Sequence, residues 1–365
     1  MINSVLTSRL RNQRIAEPRG TSPGAVVRWF GAMQAQDFGA AMWAVGLRIR
    51  GGSTAAAVEE AFNRGEILRT HLMRPTWHFV SPQDIRWMLD LTGPRVRRAI
   101  TGYNQRLGLD GAELTRATRL IERSLRDQAF LTRAELGEQL RESGMIFNGA
   151  QLTQVAMNAE LEGVICSGPR NGKQFTYALL AERASSAAVL QRDEGLCTLA
   201  RLFLRSHGPA TVRDFAWWSG LTVQDAKRGF QMNRARDREF DGGVYWSIGV
   251  GHHTSANDEV PDGVALLPVY DEFSVAYRDR AADPATTVGA PTVVTAMGTV
   301  GTWRVAREAG GLRVSVALRK AFTKSDKEFL RRAVHRYTSF RGLPCRLSVS
   351  RESASARRAG GARVG

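Results

Sequence analysis

Gln34 and Gln36, separated by one alanine and followed by Asp37, are the residues of this 365-residue chain whose types and spacing most directly suggest chemistry. They sit in GAMQAQD, between an apolar run with Val26, Val27, Trp29 and Phe30 and another with Met42, Trp43, Val45 and Leu47. Residues two apart point to nearly opposite sides of a helix but share a face in extended backbone. If the chain leaves its helix near Met33, both carboxamides project into one space. A carboxamide can accept from water and donate to a sugar or phosphate oxygen, but it does not take up a proton at neutral pH. The pair therefore suits placing a water. Asp37 would be the stronger base, although the next residue along an extended strand points away from its neighbour. Spacing alone leaves open a plainer role, in which the glutamines cap a helix end or bridge loops.

A second cluster lies in RTHLMRPTWHFV, a Thr-, Trp-, Phe- and Val-rich stretch that predicts a β-hairpin turning at Arg74-Pro75. His71 and His78 fall on opposite faces by parity, so at most one of them faces a site. His78 is the candidate for a supporting role, and a hydrogen-bonded structural histidine is the alternative for either. Arg74 at the turn, with Arg69 and Lys173, are candidates for phosphate contacts. Asp271 and Glu272 read as structural carboxylates holding Arg278 or Arg280, and His252-His253 as loop residues. Cys166, Cys197 and Cys345 are isolated and lack metal-ligand spacing, so neither a metal nor a cofactor is expected.

The elements that must position these groups recur along the chain. Helices over Val5–Leu10 and Pro23–Met33, another over Ala55–Asn63 and the hairpin at 67–80 compose a winged-helix module within residues 1–110. The recipe returns at 111–185, where Thr132 and Glu135 form a capping box and VICSGPRNGKQFTYALL reads as strand, turn, strand. It returns again at 186–252, with Thr211 and Thr222 as caps and REFDGGVYWSIG as a hairpin. From 253 to 350 the pattern turns to strands, in VALLPVYDEFSVAYRDR, PTVVTAMGTVGTWRVA, LRVSVALR and LPCRLSVS, with one helix through Phe329. Residues 351–365 read as a disordered tail. The expectation is an α+β fold: three tandem winged helices and a β-rich C-terminal domain.

Charge narrows the partners. The chain carries 51 basic and 35 acidic residues, a net +16, and the tail from Arg351 supplies only +3 of it. A body this basic attracts polyanions, nucleic acid first among them. No apolar run approaches the ~20 residues of a membrane span, and MINSVLTSRLRNQR lacks the apolar core of a signal peptide. A cytoplasmic location with no membrane partner is expected.

GAMQAQD, RTHLMRPTWHFV and LLPVYDEF with YRDR, in that order, resemble the AlkZ-like family of winged-helix DNA glycosylases, from the N-terminus to about residue 350. Gln34, Ala35 and Gln36 match its Gln, apolar, Gln signature. A sister subfamily resembling YcaQ carries Asp at the second position. The resemblance implies a monofunctional enzyme that hydrolyses the N-glycosidic bond of alkylated purines, chiefly N7-alkylguanine, in some members within interstrand crosslinks. It also implies a C-shaped arrangement around a basic channel for double-stranded DNA, and no cofactor. A monomer is expected, whereas a non-catalytic winged-helix regulator would dimerise to read palindromic sites.

The basic body carries a first test. Affinity for duplex DNA, followed by fluorescence anisotropy, is expected to fall steeply with salt, with a log–log slope of about −0.9 per neutralised phosphate, and to depend little on sequence. A shallow slope, or strong preference for one palindrome, would favour the regulator.

Overall fold

Gly31, at φ +82°, ends the second helix and turns the chain directly into a strand, two residues before the expected exit at Met33. The computed structural model describes residues 4–127, 129–240, 243–248, 263–278, 280–286 and 288–352. The first stretch runs α1 (Ser4–Asn12), α2 (Pro23–Phe30), β1 (Ala32–Gln34), α3 (Phe38–Gly46), α4 (Ala55–Asn63), β2 (Leu68–Leu72), β3 (Arg74–Val80) and α5 (Ile85–Arg106). Both β1 and α3 go beyond the sequence reading. A three-residue strand carries no alternation to detect, and α3 is too apolar to show a polar face.

The chain continues through α6 (Gly111–Ser124), β4 (Leu131–Thr132), α7 (Arg133–Glu142), α8 (Gly149–Leu161), β5 (Ile165–Ser167), β6 (Thr176–Leu179) and α9 (Leu180–Arg183). Next come α10 (Arg192–His207), α11 (Val212–Ser219), α12 (Val223–Met232), β7 (Arg236–Phe240) and β8 (Gly243–Ser247). Threonine caps start several of these helices. Thr132, Thr211 and Thr222 each accept from the backbone N–H three residues on, a bond worth about 1 kcal/mol per helix. The last part holds β9 (Val264–Leu267), α13 (Glu272–Val275), β10 (Thr292–Thr295), β11 (Gly298–Glu308), β12 (Gly311–Leu318), α14 (Lys324–Arg341) and β13 (Cys345–Arg351). Here the expected strand through YDEF gives way to the helical turn α13, because Asp271 caps it by accepting from Phe273 N. His252-His253 and residues 353–365 lie outside the described residues.

Four sheets result among the described residues: β1-β3-β2, β4-β6-β5, the ribbon β7-β8, and β13-β12-β11-β10-β9, in which β12 and β13 run parallel. This is a mixed α+β fold. The boundaries drawn at 110 and 253 follow chain order, but the core does not. Val26, Phe30, Trp43 and Phe62 near the N-terminus share one apolar core with Leu267, Val293, Trp303 and Tyr337 near the C-terminus. An indole from α3 locks the C-terminal sheet into it, Trp43 Nε1 donating to Leu266 O at 2.7 Å, while Trp303 Nε1 of β11 donates to Leu267 O of β9 within that sheet, also at 2.7 Å.

A buried ion pair completes the junction. Arg48 Nη1 and Nη2 each donate to Asp271 at 2.8 Å, with both side chains fully buried. Arg48 also donates to Gln13 O and Ala44 O. Asp271 was expected to hold Arg278 or Arg280; instead its partner comes from the turn after α3, more than two hundred residues earlier, beyond any local reading. Arg48→Met leaves a buried carboxylate unpaired, and is expected to lower stability in chemical denaturation by about 3–5 kcal/mol. Adding Asp271→Leu should recover part of that loss. No recovery in the double variant would show that the two charges are not coupled.

Candidate active site

The two glutamines emerge at the open end of β1. Gln34 ends the strand and pairs across it with His78 of β3. Ala35 N continues the ladder by donating to Trp77 O at 2.7 Å. The Gln34 N–H points the other way, out of the sheet edge, and donates to Glu272 Oε1 at 2.6 Å. Gln34 and His78 therefore form a non-hydrogen-bonded pair, the kind that brings side chains closest, with Cα atoms about 4.5 Å apart. The Gln34 side chain is half-buried, and its Oε1 is buried without a hydrogen-bond partner.

Glu272 anchors this strand end. Its Oε2 accepts from His207 Nε2 at 3.1 Å and from Trp218 Nε1 at 2.9 Å, so one carboxylate joins β1, α10, α11 and α13. Burial alone would raise its pKa; the hydrogen bond and charge of His207, with the Gln34 N–H, outweigh burial and hold it down at about 2. His78 is fully buried, and burial, with the neighbouring Arg74 charge, pulls its pKa down to about 3. It is neutral at physiological pH. Its Nδ1 lies 2.9 Å from Thr76 O, which can only accept, so Nδ1 carries the proton and Nε2 is an acceptor without a partner.

Gln36 is exposed, and its Oε1 accepts from Trp77 N at 3.3 Å, which turns its NH2 outward as a donor. The two carboxamides thus differ: Gln34 offers a free acceptor and Gln36 a free donor. Asp37 caps α3, its Oδ1 accepting from Ala40 N at 2.9 Å. That cap gives Asp37 a structural role at the position where sequence alone allowed a base.

Arg69 is not a surface phosphate contact. It is buried between the rings of Trp77 and Phe175 at 4.4 and 4.7 Å, and donates to Ala35 O and Gln36 O, holding the glutamine loop from behind. Arg74 does follow the hairpin turn, but that turn is not an exposed tip. Met73 is buried against Gly220, where a Cβ would meet Met73 O at 2.0 Å. Arg74 is half-buried, its guanidinium carbon 5.7 Å from the centre of the Trp217 ring. Lys173 is exposed on the loop between β5 and β6. The parity reading of the histidines agrees with the register, His71 opposing Trp77 and His78 opposing Thr70. His71 pairs through Nδ1 with the buried Glu160 and is structural. Sequence reasoning missed His207 and Trp218 altogether, since nothing local marks a residue whose partner lies on another helix. No cluster of potential metal ligands is present among the described residues. A separate cavity of about 1070 Å³ lies between α14, residues 51–54 and the β9–β10 edge, away from the glutamines.

With this geometry in place, comparison with known proteins is decisive. The family model described as DNA glycosylase AlkZ-like matches residues 27–340, a range that includes both glutamines and Glu272. The chain belongs to the AlkZ-like DNA glycosylase family. The AlkZ-like family is one of DNA-binding repair enzymes, so the resemblance read from the three motifs holds at that level. The interstrand DNA cross-link repair glycosylase of Streptomyces sahachiroi is 30% identical over 241 residues, which span 60% of this chain and 60% of that protein. The solved structure of Streptomyces sahachiroi DNA glycosylase AlkZ shares the fold, with a TM-score of 0.76 and 22% identity over 95% of this chain and 99% of that one. No helix among the described residues is long and apolar enough to cross a membrane.

His78 gives the site a measurable signature in acid. Its folded pKa lies below the ordinary value, so its contribution to stability is complete above about pH 6.5 and is lost as pH falls toward 3. The unfolding free energy is expected to decline by up to about 1.4 kcal/mol per pH unit from this group. His78→Asn should flatten that decline in denaturation series between pH 6.5 and 4.5. An unchanged slope would show that His78 is not buried neutral.

Proposed function

We propose that this chain is a monofunctional DNA glycosylase that hydrolyses the N-glycosidic bond of alkylated purines, chiefly N7-alkylguanine, including adducts within interstrand crosslinks. The observation that carries the reading is the Gln34-Ala35-Gln36 strand end, within the family match, with one unpartnered acceptor and one outward donor. It corresponds to the Gln-apolar-Gln subfamily. Residues 1–110, 111–185 and 186–252 act as tandem winged-helix modules, and with the β-rich part from 253 to 350 they enclose a basic channel for duplex DNA. The enzyme works as a cytoplasmic monomer without a cofactor.

Chemically, alkylation at N7 makes the base cationic and already a good leaving group. A strong general acid is then unnecessary. What remains is to hold a water near the anomeric carbon and to tolerate an oxocarbenium-like sugar. Gln34 accepts from that water, neutral His78 beside it supplies a second acceptor, and Gln36 donates to the sugar or to the water. Because Glu272 already accepts three hydrogen bonds from the protein, it positions Gln34 rather than acting as a base.

The direct test is a duplex with a single N7-methylguanine, treated with enzyme and then with alkali to cleave abasic sites. Strand cleavage at the lesion is expected. Gln34→Ala and Gln36→Ala should each slow the saturated single-turnover rate by roughly tenfold to a hundredfold, about 1.4–2.8 kcal/mol of barrier. The double variant should lose less than the product, because both glutamines serve one water. Hypoxanthine, a neutral base, should be a poor substrate; its efficient release would contradict the leaving-group account, and no release of N7-methylguanine would sink the glycosylase reading.

A further inference from the structure

Arg74 is a cation near His78 and Glu272 of the glutamine site, and its surroundings do not complete it. His78 opposes Thr70 of β2 and Arg74 opposes Leu72, with a shift of register between His71 and Leu72 that leaves Pro75 and Thr76 without partners on β2. Gln34 opposes His78 from the other strand. Gln34 and His78 therefore share one face of the β1-β3-β2 sheet, and Arg74 lies close enough to His78 for its charge to help lower the pKa of that histidine. Arg74 Nε and Nη2 are buried, and neither has a hydrogen-bond partner. Its guanidinium carbon lies 5.7 Å from the centre of the Trp217 ring, which is 46% exposed and lies at the edge of the site. Nearby Glu272 favours the charge through space but spends its oxygens on Gln34, His207 and Trp218. Two residues along the strand from Arg74, Thr76 Oγ1 is also buried without a partner.

Other arginines, Arg205 and Arg336 among them, keep one buried nitrogen without a hydrogen bond, whereas Arg74 keeps two. Arg48 is more deeply buried than Arg74, yet a carboxylate and backbone carbonyls satisfy it. A buried guanidinium with two idle donors is costly for the folded protein, and such a cost persists where a ligand repays it. The planar donor fork of arginine matches the two oxygens of a phosphate. The unpartnered groups sort by kind: Arg74 and Thr76 can donate, Gln34 and His78 accept.

We propose that Arg74, assisted by the Thr76 hydroxyl, forms an anion subsite inside the active site that grips a phosphodiester of the lesion nucleotide itself. This goes beyond a contact to the flanking duplex. An external contact would add affinity alone, whereas a grip on the reacting nucleotide sets its sugar over Gln34 and acts on the rate. The inference rests on the glycosylase reading above.

Its test is a cycle between protein and DNA. Single-turnover excision of N7-methylguanine at saturating enzyme is measured for wild type and Arg74→Ala, with either phosphate flanking the lesion replaced in turn by a neutral methylphosphonate. Arg74→Ala is expected to slow the saturated rate by at least thirtyfold while changing DNA affinity less than about threefold. Arg74→Lys should recover part of the rate. One methylphosphonate should slow wild type at least tenfold yet slow Arg74→Ala less than twofold, because the variant no longer holds that oxygen. Thermal unfolding of Arg74→Ala should be unchanged or shifted upward, since an unpaired buried charge has been removed; a merely structural arginine would shift it down. An equal methylphosphonate penalty in both proteins, or a variant that loses affinity with its saturated rate intact, would overturn the proposal. If wild type excises nothing, the glycosylase reading fails separately; on a duplex with an uncleavable tetrahydrofuran abasic analogue, a methylphosphonate that weakens binding of wild type and not of Arg74→Ala would still support the anion subsite, and equal weakening of both would overturn it.

Discussion

A single buried carboxylate holds the site together. Glu272 ties the backbone of Gln34 to His207 and Trp218, and so fixes a three-residue strand end against two helices that follow more than a hundred and seventy residues later. Its own position is set by Asp271 next to it, which caps α13 and binds Arg48. Short strands and exposed glutamines have little stability of their own. Here they inherit it from a chain of charge-assisted bonds in the protein interior, where such bonds are strong once every member is satisfied. The shared core of the N-terminal helices and the C-terminal sheet is what brings residue 272 to residue 34.

The electrostatics of the site follow from the same packing. Glu272 stays ionised far below neutral pH, His78 stays neutral far above its folded pKa, and Gln34 and Gln36 do not titrate at all. Arg74 brings positive charge without a carboxylate of its own. Glu272, His78 and the two carboxamides thus keep one set of donors and acceptors across neutral pH. Such a site suits a reaction in which the leaving group is activated by the damage, and in which the protein contributes position.

Much of the local structure was legible in the sequence. The threonine caps, the hairpin over residues 68–80 and the alternation in LRVSVALR all announce themselves over a few residues, because capping and pleating are local rules. Gln34 and Gln36 stood out by spacing, and their family by three motifs in order. What sequence could not supply was pairing across the chain. Asp271 found Arg48 rather than Arg278 or Arg280, Arg69 turned inward to hold the glutamine loop, and the hairpin turn at Met73 was buried against Gly220 rather than projecting. Each of these is decided by which distant surface covers the residue, a property with no period and no local signature.

The claim that position rather than titration sets the activity is tested most directly by the pH profile of the saturated single-turnover rate on an N7-methylguanine duplex. With Glu272 at about 2, His78 at about 3 and two carboxamides at the centre, the rate should be flat within twofold from pH 5.5 to 8. A rate that falls tenfold per pH unit toward acid, with an inflection inside that range, would contradict the account and assign the water's activation to a titrating base.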